Sequence, residues 1–197
     1  GMYSRNRLAH KWKAPFRCWA LRELVSWRLE DLLRQSYVLA SKQYYLGARI
    51  LLRSGYETLA VLIYVNQQMQ DVISRVVEFN AFSEKTTRLI VGSRDNSTKH
   101  EALNILTILE KCERVYPGIS GLYGILSESA HPNYDGMHAG YAKVNWKNHE
   151  IKFKNSFETK FAGGHDELVI GCMEVFFHEY NEVFADRIID LEGWIAA

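Results

Sequence analysis

Apolar residues recur every three or four positions from Leu21 to Leu39, which is the spacing of one face of an α-helix. Pro15 suits the first turn of this helix, because its fixed φ and its missing N–H are tolerated there. We expect a helix from Pro15 to about Ala40, whose apolar face carries Leu21, Leu24, Val25, Leu29, Leu32, Leu33, Ser36 and Leu39.

The next helical pattern runs from about Lys42 to Met69 and is the least amphipathic in the chain. Its segment Leu59 to Val65 is apolar on every side, and a helix of that kind is usually central in its domain. The charged residues of this helix are therefore informative. Arg49, Arg53 and Glu57 are spaced by four, so they share one stripe of the helix surface.

Charged side chains on a packed helix need partners, because an uncompensated buried charge is strongly destabilising. Arg53 and Glu57 can form such a pair within one helical turn. Two interpretations follow for the stripe that begins at Arg49. It is either an ion-pair network that orients neighbouring helices or part of a ligand or catalytic pocket.

A loop and a helix end mark the middle of the chain. The stretch 92–99 reads GSRDNSTK, and these residues favour turns, so it predicts a loop. Ser97 or Thr98 can cap the helix that follows. A further helical pattern covers Ile119 to Ala130 and stops before Pro132, which disfavours helical geometry in the residue ahead of it.

The remaining patterns are helical with one exception. Residues 71–79 and 83–91 predict short helices, the second with Ser83 as its N-cap. Apolar and polar residues alternate in two runs within 141–153, which indicates a small β-hairpin. A long apolar face then predicts a final helix over 165–194. The sequence therefore predicts an all-α bundle of four or more main helices, with short connecting helices and one small hairpin.

Composition places the chain among single-domain globular proteins. Its 197 residues are 47% hydrophobic and carry a formal net charge of +1. This charge is too small to give the protein a global positive field that would attract nucleic acid. We expect a basic N-terminal arm over 1–14 and one helical domain over 15–197. Cys18, Cys112 and Cys172 form no C-x-x-C pair, which indicates reduced, packed thiols and a cytoplasmic location. No apolar run is long enough to span a membrane, and no membrane partner is expected.

The stretch Leu126 to Gly136, LSESAHPNYDG, concentrates hydroxyl, carboxylate and imidazole groups at a helix end. Glu128, His131, Asp135 and His138 offer donors that suit a metal ion, but their spacing is not a recognised ligand pattern. We expect His131 to be held by hydrogen bonds and no metal to be bound. Glycine-rich phosphate loops are absent, and no cofactor is expected.

Arg94 and His100 are separated by five residues. This spacing resembles the Arg-x(4 to 6)-His signature of the HEPN superfamily of helical-bundle nucleases and nucleotide-binding proteins. There the pair sits at the start of a helix, and dimerisation brings two copies together. The resemblance implies a ribonuclease in which arginine stabilises a developing phosphorane and histidine moves a proton. RNA is a partner only under this interpretation.

A second resemblance covers residues 20 to 140. Arg53, Ser54 and Glu57 form an R-S-x-x-E helix, and an L-S-x-x-x-H-P segment is formed by Leu126, Ser127, His131 and Pro132. These elements are similar to a family of uncharacterised bacterial helical proteins. The family implies an α-helical fold without an established activity, although related proteins are discussed beside phage-defence and toxin-like systems.

Together these patterns give one structural hypothesis and two function classes. We expect Arg53 and Glu57 to meet Ser127 and His131 in a polar network inside the bundle. The favoured class is a non-catalytic module that binds a partner or assembles with itself, and the alternative is a HEPN-like ribonuclease or nucleotide-binding protein. The sequence leaves open whether the chain is an enzyme.

Overall fold

The computed structural model of the chain describes residues 10–197. Within that range helices dominate, and a two-stranded antiparallel hairpin pairs Val144 with Ile151 and Ala142 with Phe153. The prediction of an all-α bundle with a hairpin near 141–153 is confirmed. The elements are α1 (Lys13–Ser41), α2 (Tyr45–Ile73), α3 (Phe79–Val91), α4 (Ile105–Cys112), α5 (Ile119–Ala130), a π-helical turn (Tyr134–Ala139), β1 (Ala142–Asn145), β2 (Glu150–Phe153), α6 (Phe157–Phe161), α7 (His165–His178), a second π-helical turn (Glu179–Val183) and α8 (Phe184–Ala196).

Helix α2 is the central element, as its all-round apolar segment predicts. It packs against α1, α3, α4, α5, α7 and α8. Between Leu59 and Val65 all residues are buried except Val61, which is partly exposed. A helix with this many neighbours needs apolar residues on every side, because each side faces another helix rather than water.

Two apolar clusters lie on either side of α2. The first apolar cluster joins Leu52, Leu59 and Ile63 of α2 to α1, α4, α5 and α7. The second apolar cluster joins Leu62, Val65 and Met69 of α2 to α1, α3 and α8. Since α1 and α2 contribute to both, they hold the two halves of the core together.

The start of α1 differs by two residues from the predicted start. The helix begins at Lys13 rather than Pro15, and Ala14 is fully buried in the second apolar cluster. Of the predicted basic arm over 1–14, residues 1–9 lie outside the described residues. Its last two residues belong to the helix, because Ala14 packs on the core.

The predicted short helices over 71–79 and 83–91 have other boundaries in the structure. Helix α2 continues to Ile73, since Val72 is buried in the second apolar cluster. The chain turns at Arg75, whose φ is 60°, and α3 begins at Phe79. Ser83 therefore lies inside α3, where its carbonyl accepts hydrogen bonds from Thr86 and Thr87, and it is not an N-cap.

The final helical stretch is interrupted by the second π-helical turn. It begins at Glu179, which is 2% exposed although it carries a carboxylate. Asn66 donates to Glu179 Oε2 (2.6 Å) and Tyr116 donates to Glu179 Oε1 (2.8 Å). The π-helical turn therefore starts at a residue whose buried carboxylate accepts hydrogen bonds from two side chains. No helix within residues 10–197 is both long and apolar enough to cross a membrane.

Candidate functional site

Arg49 lies at the buried, closed end of the charged stripe on α2. It is 3% exposed, and its Nε donates to Ser129 Oγ (2.7 Å) while its Nη2 donates to the carbonyl of Ile125 (3.2 Å). Its guanidinium carbon lies 4.3 Å from the centre of the Phe161 ring. Burial lowers the pKa of Arg49, and Asp135 opposes this shift. Hydroxyl, carbonyl and ring contacts thus hold this cation in place.

Arg53, one turn further along α2, forms the open end. Its Nε donates to Ser127 Oγ (2.9 Å), and its Nη2 donates to the Tyr123 hydroxyl (2.7 Å). The same Nη2 lies 3.3 Å from Glu57 Oε1, which also accepts from the Tyr123 hydroxyl (3.0 Å). The side chains of Arg53 and Glu57 remain 26% and 27% exposed. Four side chains therefore fix one another at a surface that ligands can reach.

A cavity of about 790 Å³ opens at this end, and we call it the polar cavity. It is lined by Arg53, Arg94, Asn96, Glu101, Ala102, Asn104, Ile105, Leu106, Tyr123, Ser127, Glu128 and His131. Arg53, Ser127 and His131 therefore line the same cavity, but His131 does not join the hydrogen-bond network that was expected to hold it. His131 is exposed and forms no side-chain hydrogen bond with another described residue, and Glu128 accepts from Asn133 (2.6 Å).

The loop between α3 and α4 supplies another wall of the polar cavity. Ser93 donates from its backbone to the carbonyl of His100 (2.8 Å) and accepts from the backbone of Ala102 (3.1 Å). These bonds close the segment that contains Arg94. The Arg94 side chain is exposed and forms no hydrogen bond or ion pair with another residue in 10–197. It is held near the cavity by its backbone and keeps its charge available.

The helix after this loop starts later than Ser97 or Thr98. Asn104 is the N-cap of α4, and its side chain accepts from the backbone of Leu106 (3.0 Å). The Thr98 hydroxyl donates to the carbonyl of His100 (3.0 Å), so it serves the loop. Arg94 and His100 thus both lie in the loop, whereas the HEPN resemblance implies a position at the start of a helix.

Of the pair Arg94 and His100, Arg94 alone lines the polar cavity. Arg94 lines the polar cavity, whereas the exposed His100 is not among its lining residues. The imidazole that shares the polar cavity with Arg94 is His131, which is distant in sequence. This proximity depends on tertiary packing, since Arg94 lies in the loop between α3 and α4 and His131 follows α5.

A second cavity, which we call the apolar cavity, has a volume of about 560 Å³ and lies among α1, α2 and α3. Arg28 reaches it from α1 and donates to Thr58 Oγ1 (3.2 Å). The apolar cavity shares Arg53, Arg94 and Ile105 with the polar cavity. Its lining consists of Leu21, Leu24, Val25, Arg28, Arg53, Glu57, Thr58, Val61, Leu89, Ile90, Arg94 and Ile105.

Six contributors to the site were not predicted from the sequence, namely Arg28, Asn96, Glu101, Asn104, Tyr123 and Ser129. Tyr123 lies four residues before Ser127, so its placement on the same face of α5 could have been found from helical spacing. Ser129 and Arg28 carry no such signal. Their roles depend on which helices pack together.

The metal alternative gains no ligand set from the structure. Among residues 10–197, no three His, Cys, Asp or Glu side chains are grouped so that they could hold a metal ion. His138 instead stacks on Tyr134 with ring centres 5.2 Å apart, and Asp135 lies 3.9 Å from the ammonium of Lys160.

Comparisons of the chain with protein-family models, with curated proteins and with solved structures gave no match.

Proposed function

We propose that the chain is a non-catalytic binding module that takes a ligand bearing an oxyanion in the polar cavity. The observation that carries this proposal is that Arg53 and Arg94 line the same cavity from different walls, with Arg94 free of any partner among the described residues. A guanidinium presents a planar set of donors that matches phosphate or carboxylate oxygens.

The fixed position of Arg53 supports the proposal. Its Nε and Nη2 are engaged by Ser127, Tyr123 and Glu57, so the side chain is already oriented before a ligand arrives. Ordering a long side chain on binding costs roughly 0.5–1.5 kcal/mol, and this site avoids that cost for one of its two arginines. Asn96 and Asn104 add neutral donors to the same cavity.

The experiment compares Arg94→Ala with the wild-type chain by titration calorimetry, using inorganic phosphate and pyrophosphate as probes. We expect affinity to fall by at least tenfold, because one unpaired cation is lost. Arg34→Ala is the matched control, since Arg34 is an exposed arginine that pairs with Glu30 and lines neither cavity. The proposal is contradicted if the wild-type chain binds neither probe, or if Arg94→Ala and Arg34→Ala bind the probes with equal affinity.

A ribonuclease of HEPN-like type is the second candidate. The observation that favours it is that Arg94 and His131 line the same cavity, which offers both a cation for a developing phosphorane and an imidazole for proton transfer. Arg94→Ala and His131→Ala should then abolish RNA cleavage. His100→Ala should do the same only if a second copy contributes His100 to the site. Intact RNA after incubation with the wild-type chain counts against this candidate.

The wider setting is also a proposal. We place the chain in the family of uncharacterised bacterial helical proteins, within the cytoplasm, where the unpaired and buried Cys18, Cys112 and Cys172 would stay reduced. Self-assembly with a second copy through an apolar helix face is part of the same proposal. Light scattering that finds only monomer at high concentration would contradict it.

A further inference from the structure

The two cavities together are much larger than a free ion requires. The polar cavity measures about 790 Å³ and the apolar cavity about 560 Å³, and they meet at Arg53, Arg94 and Ile105. Each volume alone falls within the roughly 300–1,000 Å³ that is usual for small-molecule sites. A ligand that bridges both must have two chemically different ends.

The walls of the apolar cavity suit a ring. Six aliphatic side chains from α1, α2 and α3 line it beyond the shared residues, namely Leu21, Leu24, Val25, Val61, Leu89 and Ile90. Contact between these walls and an apolar surface is favourable, because both are removed from water. The same walls offer a hydrated ion no hydrogen bonds in place of its water. The polar edge of the apolar cavity consists of Arg28 with Thr58 and of Glu57, which can orient heteroatoms at the rim of a ring, together with the shared Arg53 and Arg94.

The polar cavity offers both kinds of hydrogen-bonding group. Its donors include Arg53, Arg94, Asn96 and Asn104, and a phosphate has several oxygens that accept from such groups. Its carboxylates, Glu101 and Glu128, are acceptors only and would repel a phosphate. Hydroxyl groups would satisfy those carboxylates. The mixture therefore fits a phosphate attached to a hydroxyl-bearing group better than it fits a bare anion.

Arg53 and Arg94 stand where the cavities join. A guanidinium can bind phosphate oxygens along its edge and stack a ring on its face. The junction therefore suits the part of a ligand where a charged group is attached to a planar apolar one.

We infer that the ligand of this site is a nucleoside monophosphate, with its phosphate and sugar in the polar cavity and its base in the apolar cavity. This inference rests on the proposed function and narrows it to one class of phosphate ester. The base is held by aliphatic walls, the phosphate by Arg53 and Arg94, and the sugar hydroxyls by Glu101 and Glu128.

The test measures, by titration calorimetry on the full chain, the affinities of AMP, GMP, CMP and UMP, of adenosine and guanosine, and of inorganic phosphate. AMP or GMP should bind at least tenfold more tightly than its own nucleoside and at least tenfold more tightly than inorganic phosphate. Arg94→Ala should weaken nucleotide and phosphate alike.

Two further variants address the apolar cavity. Val61→Phe fills part of it and should lower nucleotide affinity at least tenfold while leaving the affinity for inorganic phosphate unchanged. Leu24→Asn should lower nucleotide affinity about threefold, and it is safe for the fold because Leu24 is 56% exposed. Ile189→Asn is the matched control, since Ile189 is 67% exposed and lines neither cavity.

The outcomes separate this inference from the proposed function. If inorganic phosphate binds as tightly as every nucleotide, or if both Val61→Phe and Leu24→Asn leave nucleotide affinity unchanged, the inference is overturned while oxyanion binding stands. If neither phosphate nor nucleotide binds, both are overturned. A short RNA that binds more tightly than every mononucleotide, with no response to Val61→Phe, also overturns the inference.

Discussion

Arg49 and Arg53 are four residues apart on α2, yet their surroundings assign them different tasks. Arg49 is 3% exposed and contacts Ser129, Ile125 and Phe161, so it ties α2 to α5 and α6. Arg53 is partly exposed and faces the polar cavity. A stripe of charge on a helix can thus be structural at one end and accessible at the other.

Glu57→Ala tests how far the open end contributes to stability. The change removes one ion pair and the acceptor of the Tyr123 hydroxyl, but Arg53 keeps Ser127 and solvent contact. We expect the free energy of unfolding to fall by about 1 kcal/mol, well below the roughly 3–5 kcal/mol of a fully buried pair. A thermal melt should show a decrease of about 2–4 °C.

Two further variants serve as comparisons for the stability of Glu57→Ala. Glu57→Gln keeps an acceptor for Tyr123 and should lose less stability than Glu57→Ala. His131→Ala should leave the melting temperature nearly unchanged, because the His131 side chain is exposed and makes no hydrogen bond with a described residue. A loss of about 3 kcal/mol or more in Glu57→Ala would show that the Arg53–Glu57 pair contributes to stability as a fully buried ion pair does.

His165 is a buried imidazole whose tautomer follows from its neighbours. The Ser36 hydroxyl donates to the carbonyl of Ala48 (2.8 Å), so its oxygen must accept from His165 Nε2–H (3.3 Å). Nδ1 has no hydrogen-bond partner among the described residues. A proton added to Nδ1 would therefore have no acceptor. Burial lowers the pKa of His165, Asp166 opposes this, and Arg49 adds to it.

His165→Gln should reduce the sensitivity of the fold to acid. With a lowered folded-state pKa, the unfolded chain binds a proton below about pH 6.5 that the folded chain does not, so stability falls as the pH drops from there. Glutamine can still donate to Ser36 but does not titrate. We expect the wild type to lose more melting temperature than His165→Gln between pH 7.5 and 5.5. Equal losses would mean that His165 is not a source of the acid sensitivity.

Helix α6 approaches the end of the first π-helical turn closely at Gly140. A Cβ at this position would clash with the ring of Phe157, which is 1% exposed. Gly140→Ala should therefore lower the free energy of unfolding by about 1–3 kcal/mol, the usual cost of overpacking. Denaturant unfolding measures it.

Gly121→Ala is the matched control for that substitution. Gly121 lies in α5, and a Cβ there would meet no atom within 4 Å. Alanine should stabilise α5 by up to about 1 kcal/mol, because it favours helix and restricts the unfolded chain. A Gly140→Ala protein as stable as the Gly121→Ala protein would mean that the close approach is not required.

The elements differ in how far the sequence could predict them. Residues 59–65 are apolar on every side, which identifies α2 as central because no side of it can face water. The turn at Glu179 could not be foreseen, since its buried carboxylate depends on Asn66 and Tyr116 from other elements. The spacing of α2 also picks out Arg53, whereas only tertiary packing brings Arg94 to the same cavity as His131.

Three buried cysteines are distributed over both halves of the core. Cys18 lies in the second apolar cluster, and Cys112 and Cys172 lie in the first. Burial raises the pKa of each thiol to about 12. Alkylation needs the thiolate and access to it, so the folded chain should resist iodoacetamide at pH 8.

The same thiols can show whether the two clusters unfold together. Leu59 and Leu62 of α2 belong to different clusters but to one helix, so loss of either cluster should disrupt the other. We expect Cys18, Cys112 and Cys172 to become reactive at one urea concentration, as followed by peptide mass spectrometry. The circular dichroism transition should coincide with them. Cys18 reacting at a lower concentration than Cys112 and Cys172 would show that the α3 and α8 side of the core opens first, and that α2 does not make the domain a single cooperative unit.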